Sequence, residues 1–74
     1  RSSKYRFTNK PLQEFIDFIN RSYHVNIIIK EEKLKKLKFN GTIHKDEPLT
    51  NIIEKICISL DLKEKQENND IILY

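Results

Sequence analysis

The side chains best suited to metal binding or nucleophilic chemistry in this sequence are His24, His44 and Cys57. The two histidines are isolated and lack the His-x-x-x-His spacing that places two imidazoles on one helix face. A single cysteine excludes an internal disulfide and a cysteine-based zinc site. On the apolar side of a helix, where the pattern puts Cys57, cysteine behaves as a small hydrophobic residue. These residues therefore predict neither a metal centre nor a reactive thiol.

The acidic residues also give little support for catalysis. Glu14 with Asp17, and Glu31 with Glu32, form close pairs, but a general acid or base needs a pocket that shifts its pKa towards the working pH. The one glycine, Gly41, falls inside a strand pattern, where it indicates a bulge or a close backbone approach instead of a phosphate-binding loop. We therefore expect no enzyme activity, no cofactor and no small-molecule ligand.

The charge pattern is weakly basic. Fourteen Lys and Arg residues against eleven Asp and Glu give a net charge of +3, with acidic residues interleaved throughout. The one dense basic cluster, formed by Lys33, Lys35, Lys36 and Lys38, indicates a solvated loop beside a strand. That strand carries a single aromatic residue, unlike the stacking sheet of RNA-recognition domains, and the chain has no Gly-x-x-Gly loop. We predict no nucleic-acid partner, and nucleic-acid binding remains the alternative that net charge supports.

The length of 74 residues limits the chain to one small domain with a thin core. Its apolar runs fall far short of the roughly 20 residues that span a membrane. Neither an initiator methionine nor a signal-peptide pattern is present. We therefore expect a fragment of a longer protein, with residues 1–4 as an N-terminal linker and residues 5–74 as the domain.

An internal repeat organises the chain. Pro11 and Pro48 are 37 residues apart, and this offset aligns Lys10-Pro11-Leu12 with Glu47-Pro48-Leu49. The same offset aligns apolar positions of the two halves: Phe15-Ile16 with Ile52-Ile53, Ile19 with Ile56, and Val25 with Leu62. Two copies of one supersecondary unit are therefore predicted.

Each copy has the pattern of a strand, a helix and a strand. Apolar residues recur at helical spacing over about residues 11–23 and 48–60. Strand-type alternation precedes each helix, at residues 5–8 and 37–44, and β-branched residues 25–29 follow the first helix. The second helix is followed by a polar segment that we expect to be exposed on one face or at an edge, by a turn and by a last strand, at residues 62–66, 68–70 and 71–74. The predicted order is βαβ–βαββ.

The start of each helix has two possible caps. Asn9 and Asp46 are equivalent in the repeat, and both residue types accept hydrogen bonds from the first backbone N–H groups of a helix. Alternatively, Lys10 and Glu47 occupy the cap position and the proline is the first helical residue.

Two apolar residues lie off the main stripe of their helices. Phe18 and Ile58 point away from the side that carries the other apolar residues, whereas a helix on one face of a single sheet needs only one apolar stripe. This pattern favours an α+β fold in which two helices pack between two small β-sheets. The ferredoxin-like split βαβ sandwich is the alternative.

Several short motifs, in order, resemble the C-terminal domain of FecR-like anti-sigma regulators. They are Phe7-Thr8-Asn9-Lys10-Pro11-Leu12, Tyr23-His24-Val25-Asn26-Ile27, Phe39-Asn40-Gly41-Thr42-Ile43, Pro48-Leu49 and Ile71-Ile72. The chain is also similar to the secretin and TonB short N-terminal signalling domain, which has two βαβ units with helices between two small sheets. One departure is the last hairpin, where Asn68-Asn69 replaces a glycine.

The resemblance implies a function in transcription regulation. The parent protein would be anchored in the inner membrane and would hold an ECF sigma factor through its N-terminal part. This domain would lie in the periplasm and receive a signal from the signalling domain of a TonB-dependent outer-membrane transducer. The alternatives within this group are the signalling domain of the transporter itself and a secretin N-domain. No catalytic residue is implied.

A partner-binding role needs exposed apolar contacts. Phe18, Ile58, Ile72 and Tyr74 are the candidates, with completion of the domain's own core as the alternative explanation for each. The last strand is short and apolar, and we expect it to offer a sheet edge to a partner strand. The oligomeric state stays open.

Overall fold

The computed structural model describes residues 4–74, which form an α+β fold. In chain order the elements are β1 (Lys4–Pro11), α1 (Leu12–Tyr23), β2 (Ile27–Ile29), α2 (Glu32–Lys35), β3 (Lys38–His44), α3 (Leu49–Leu60), β4 (Glu64–Glu67) and β5 (Asp70–Leu73). Of the predicted N-terminal linker, residues 1–3 lie outside the described part, and Lys4 is the first residue of β1.

A single-turn helix, α2, is an addition to the predicted order. It lies within the basic segment that we expected to be a loop. Leu34 packs against the core, and Lys35 Nζ lies 3.2 Å from a Glu32 carboxylate oxygen, an i,i+3 pair of the kind that supports a helical turn. One apolar residue in four cannot show helical periodicity, which explains why the pattern did not predict this turn.

The predicted repeat is present in the backbone. Helices α1 and α3 have 12 residues each and begin 37 residues apart, at Leu12 and Leu49. Both end at a residue with left-handed φ, His24 at 55° and Asp61 at 57°, a conformation that His and Asp tolerate better than most residues. The hydrogen bonds that close the two helices are equivalent as well: Val25 N–H to Asn20 C=O, 3.2 Å, and Leu62 N–H to Cys57 C=O, 2.9 Å.

Both predicted capping schemes are wrong. Pro11 and Pro48 themselves occupy the N-cap positions, and neither helix has a side-chain cap. Asn9 and Asp46 instead adopt left-handed φ values of 52° and 64° ahead of the helices. Asn9 lies in a β-bulge of β1, where its N–H donates to Asn40 Oδ1 at 2.7 Å. These residues therefore turn the chain and do not accept hydrogen bonds from the helix.

The strands form two separate sheets, so the ferredoxin-like alternative is excluded. Sheet A consists of antiparallel β1 and β3, and sheet B has the order β2-β5-β4, with β5 parallel to β2 and antiparallel to β4. The last strand is thus central, and the expectation that it offers an edge is wrong. Apolar β5 gains neighbours on both sides, whereas the polar segment β4, exposed throughout, lies at the edge as expected.

The core lies between the sheets and the two long helices. Its buried residues come from every layer: Leu12, Phe15, Ile16 and Ile19 of α1, Ile52, Ile53 and Ile56 of α3, Phe39 and Ile43 of sheet A, and Ile27, Ile29 and Leu73 of sheet B. Burying an aliphatic or aromatic side chain of this size stabilises a fold by about 1.5–3 kcal/mol. The α1 and α3 stripes therefore hold the two sheets in one domain.

Candidate partner-binding surfaces

An aromatic row connects the surface of sheet A with the core. Ring centroids lie 5.3 Å apart for Tyr5 and Phe18, 5.1 Å for Phe18 and Phe7, 4.8 Å for Phe7 and Phe15, and 4.6 Å for Phe15 and Phe39. These separations are those of favourable aromatic pairs. Tyr5, at the outer end, is 60% exposed. Phe18 thus packs on the domain's own aromatic side chains and is also half-buried at the surface.

Two shallow hollows flank Phe18. The first, of about 350 Å³, is lined by β1 and α1: Phe7, Lys10, Glu14, Asp17, Phe18 and Arg21. The second, of about 320 Å³, lies towards the end of β3 and the C-terminus of α1; its lining is Tyr5, Phe18, Ser22, Tyr23, Ile43, His44, Lys45 and Asp46. Phe18 therefore lines both hollows and is accessible from two sides.

The outer face of sheet B is a second apolar surface. Ile28 of β2 is in register with Ile72 of β5, which is in register with Lys65 of β4. Ile28 is 39% exposed, but Ile72 is only 8% exposed. Tyr74, two residues beyond Ile72 and 39% exposed, has its ring centroid 5.4 Å from Lys65 Nζ, within cation–π range. The structure thus brings Ile72 and Tyr74 together on one face.

Ile58 lies apart from both surfaces, on the exposed side of α3. It is 75% exposed, and the neighbouring helix positions Glu54, Lys55 and Asp61 are also exposed. A single exposed isoleucine among polar side chains is ordinary at a protein surface. Of the two residues that suggested a covered second helix side, Phe18 is therefore covered by sheet A and Ile58 is not covered.

Sequence reasoning missed two exposed apolar residues, Tyr5 and Ile28. The alternation around Tyr5 indicates only a half-buried strand, and Ile28 lies in the middle of a β-branched run that suggests full burial. Strict alternation along β2 was the available signal, because Ile27 and Ile29 point to the helices and Ile28 must then point away.

Glu47 joins β3 to α3. Its carboxylate accepts a hydrogen bond from the His44 N–H at 3.0 Å and lies 2.6 Å from Lys55 Nζ. The hydrogen bond from Lys55, followed by the one from the His44 backbone, holds the pKa of Glu47 below its ordinary value. Tyr23 contacts the same turn, since its hydroxyl donates to the Glu47 carbonyl at 2.6 Å. Burial, and then the charges of Glu47 and Asp46, raise the pKa of Tyr23.

The residues considered first for chemistry do not assemble into a reactive site. Cys57 is half-buried, and burial, followed by the charge of Glu64, raises the pKa of its thiol, which disfavours the nucleophilic thiolate. Within residues 4–74, no group of three or more His, Cys, Asp or Glu side chains is placed to hold a metal ion. None of the helices described is both long enough and apolar enough to cross a membrane.

Comparison with known proteins identifies the family. The model for the family described as FecR, C-terminal, matches residues 4–73, nearly the whole chain. The chain belongs to the FecR C-terminal domain family. This membership confirms the resemblance to the C-terminal domain of FecR-like anti-sigma factors that the sequence motifs indicate. It also supports a regulatory role for this FecR C-terminal domain.

Solved structures show the same fold. Two crystal structures of a candidate anti-sigma factor from Parabacteroides distasonis ATCC 8503, at 1.65 and 2.50 Å resolution, each match this FecR C-terminal domain with a TM-score of 0.84 and 20% sequence identity. The match covers 99% of this chain and 34% of that one, so the domain spans about a third of the length of the protein it resembles. No curated protein sequence matches the chain.

Proposed function

We propose that this FecR C-terminal domain is the periplasmic interaction module of an inner-membrane-anchored anti-sigma regulator. It binds the signalling domain of a TonB-dependent outer-membrane transducer, and the N-terminal part of the parent protein transmits that signal to an ECF sigma factor. The observation that carries the proposal is the match of the FecR family model over residues 4–73. The exposed aromatic surface at Tyr5 and Phe18 supports it, because protein interfaces are enriched in such residues.

Calorimetric titration of the domain with the signalling domain of the transducer encoded beside the parent gene tests the partner. We expect saturable binding, and at least tenfold weaker binding to the signalling domain of an unrelated transducer, which serves as the control. Absence of binding at high micromolar concentration, for this domain and for the whole periplasmic region of the parent, would contradict the proposal.

Location is tested separately with the full-length parent. A tag placed after residue 74 should be digested by protease added to spheroplasts, whereas a tag at the N-terminus of the parent should be protected until the inner membrane is lysed. Protection of both tags in intact spheroplasts would rule out a periplasmic domain.

A further inference from the structure

Side chains already occupy one edge of each sheet. At the edge of β2, Asn20 donates to the Ile27 carbonyl at 3.2 Å and accepts from the Ile27 N–H at 2.8 Å. At the edge of β3, the Glu47 carboxylate accepts from the His44 N–H, and the His44 carbonyl accepts from the Glu47 N–H, both at 3.0 Å. At Ile27 and His44, the backbone groups that would recruit a partner strand are thus satisfied within the domain.

The β3 contacts also fix the direction of the β1 backbone groups. Thr42 presents its carbonyl to Lys55 Nζ at 3.3 Å, so Thr42 and His44 both direct backbone groups away from β1. In an antiparallel ladder, two residues that lie opposite each other without exchanging hydrogen bonds both direct their backbone N–H and C=O groups outward. Arg6 is in register with Thr42. The N–H and C=O of Arg6 therefore point to the outer edge of β1, away from β3.

The edge of β4 offers outward backbone groups too, but with different chemistry. Lys63 and Tyr74 exchange both backbone hydrogen bonds, at 2.7 and 3.0 Å, so alternation turns Glu64 and Gln66 outward. This edge carries both signs of charge, with Lys65 Nζ 3.2 Å from a Glu67 carboxylate oxygen. Mixed charges of this kind protect an edge strand from added strands. The β4 edge is therefore an internal control for β1.

The two strands of sheet A carry only basic charges, whereas Glu14 and Asp17 of α1 line the hollow on the Phe7 side of β1. Strands β1 and β3 contain Lys4, Arg6, Lys10 and Lys38, together with His44, and no Asp or Glu. Arg6 lies on the face of sheet A opposite to Tyr5 and Phe7, because side chains alternate along a strand. A strand added beside β1 would therefore place every second side chain next to this basic face, where acidic groups are favoured.

The opposite face of the same edge combines two aromatic rings, Phe7 and Phe18, with four charged side chains, Lys10, Glu14, Asp17 and Arg21. The hollow of about 350 Å³ is lined by β1 and α1 and by no residue of β3, so it lies on the outer side of β1. Its aromatic walls are Phe7 and Phe18, whose centroids are 5.1 Å apart. The inward side chains of an added strand would enter this hollow, where apolar groups would bury aromatic surface.

We propose that the edge of β1 accepts an extended segment of a partner protein in which apolar side chains alternate with acidic ones. A second copy of this chain does not fit, since antiparallel pairing of β1 with itself about Arg6 would bring the two Arg6 side chains together. The inference rests on the proposed function only in naming where the regulator's partner docks.

A peptide tests the edge directly. The probe is a soluble peptide with four alternating Val-Glu pairs, and the matched control has lysine in place of glutamate. We expect the acidic peptide to shift amide resonances of β1 and to slow hydrogen exchange of the Arg6 amide at least fivefold, with at least tenfold weaker binding of the basic peptide. Slowing at the Gln66 amide instead, or no shift in β1 at millimolar peptide, would overturn the inference.

Proline substitutions separate the two edges. Arg6→Pro and Gln66→Pro each remove an outward N–H without removing a ladder hydrogen bond, and Arg6→Gln removes the charge but keeps the N–H. We expect Arg6→Pro to weaken binding of the acidic peptide at least tenfold, Arg6→Gln to weaken it about threefold to tenfold, and Gln66→Pro to leave it unchanged. Should Arg6→Pro lower the thermal midpoint steeply, Arg6→Gln and the exchange rate of the Arg6 amide decide the question.

The same variants distinguish this inference from the proposed function. If the transducer signalling domain binds the wild-type domain and a folded Arg6→Pro variant equally, the edge inference is wrong and the proposed function stands. If the acidic peptide binds at β1 but the signalling domain does not bind at all, the edge stands and the proposed function is wrong.

Discussion

Glu47 Oε2 lies 2.6 Å from Lys55 Nζ, with the Glu47 side chain only 8% exposed and that of Lys55 48% exposed. This pair closes the edge of β3, because Lys55 also donates to the Thr42 carbonyl and Glu47 accepts from the His44 N–H. At the β3 edge of sheet A, the Thr42 carbonyl and the His44 N–H are therefore already engaged within the domain. The same ion pair connects the start of α3 to the sheet, so it acts on stability as well as on the shape of the edge.

Replacing Glu47 with glutamine should make the free energy of unfolding less sensitive to low pH. Because the folded-state pKa of Glu47 lies below its ordinary value of 4.5, its contribution is complete above about pH 4.5 and is lost as pH falls through the lowered value. We expect Glu47→Gln to cost about 1 kcal/mol at pH 7, a modest value since Lys55 is half-exposed. Urea unfolding of the wild type and the variant at pH 7 and at pH 3 measures the cost of the substitution and its dependence on pH. An equal difference at the two pH values would contradict the pKa direction.

Tyr23→Phe should remove one hydrogen bond and one source of alkaline sensitivity. The hydroxyl donates to the Glu47 carbonyl at 2.6 Å, so its loss should cost about 1 kcal/mol near neutral pH. Burial raises the pKa of Tyr23 above 10.0, so the stability tied to the neutral phenol is complete below pH 10 and lost as pH rises through the raised value. Thermal unfolding from pH 8 to 11 should therefore show a steeper decline for the wild type than for the variant. Tyr5→Phe is the matched control, at an exposed tyrosine.

Gly41 should not tolerate a methyl group. A β-carbon there would meet the Phe39 ring at Cε2 and Cζ, inside van der Waals contact, and that ring is buried against Phe15. We expect Gly41→Ala to cost about 1–3 kcal/mol through overpacking, measured by urea unfolding. The Phe39→Leu background should reduce the cost of the alanine, since it removes the ring. An unchanged cost in that background would point to the backbone and not to the ring.

Ile72 and Ile58 should separate core packing from partner contact. Ile72 is 8% exposed, and Ile72→Ala should destabilise the fold by about 2–4 kcal/mol; Ile58 is 75% exposed, and Ile58→Ala should change stability by less than about 0.5 kcal/mol. A loss of partner binding in Ile58→Ala would therefore report a direct contact. A large loss of stability in Ile58→Ala, seen by urea unfolding, would contradict its exposed position.

The long helices were predictable because each buries an apolar stripe of helical period, and the 37-residue offset between them is visible at Pro11 and Pro48. The helix caps were not predictable from the sequence. The choice between capping and a left-handed turn at Asn9 depends on a β-bulge, and the Asn40 side chain that accepts the Asn9 N–H there lies 31 residues away. The central position of β5 was equally hidden, because local alternation carries no information about which strands become neighbours.

The candidate surfaces were also predictable only in part, because local pattern does not show which residues the fold brings together. Phe18 was predicted from its position off the helix stripe, but the hollow beside it is formed with Phe7 and Lys10 of β1, residues that only the folded chain brings near. Ile72 was predicted as a contact residue and is nearly buried, since it lies between Ile28 and Lys65 in the sheet. A small domain uses most of its apolar side chains for its own packing, so exposure cannot be inferred from residue type.

The central place of β5 has a consequence for how the chain acquires its structure during synthesis. Ile27 and Ile71 pair across 44 residues, and β4 depends on the same strand, so no part of sheet B can form until β5 has left the ribosome. Sheet A can pair earlier, since Tyr5 and Ile43 are already available. Long-range pairings of this kind are slow to form. We therefore expect a nascent intermediate in which sheet A is formed and β2 is not yet paired with β5.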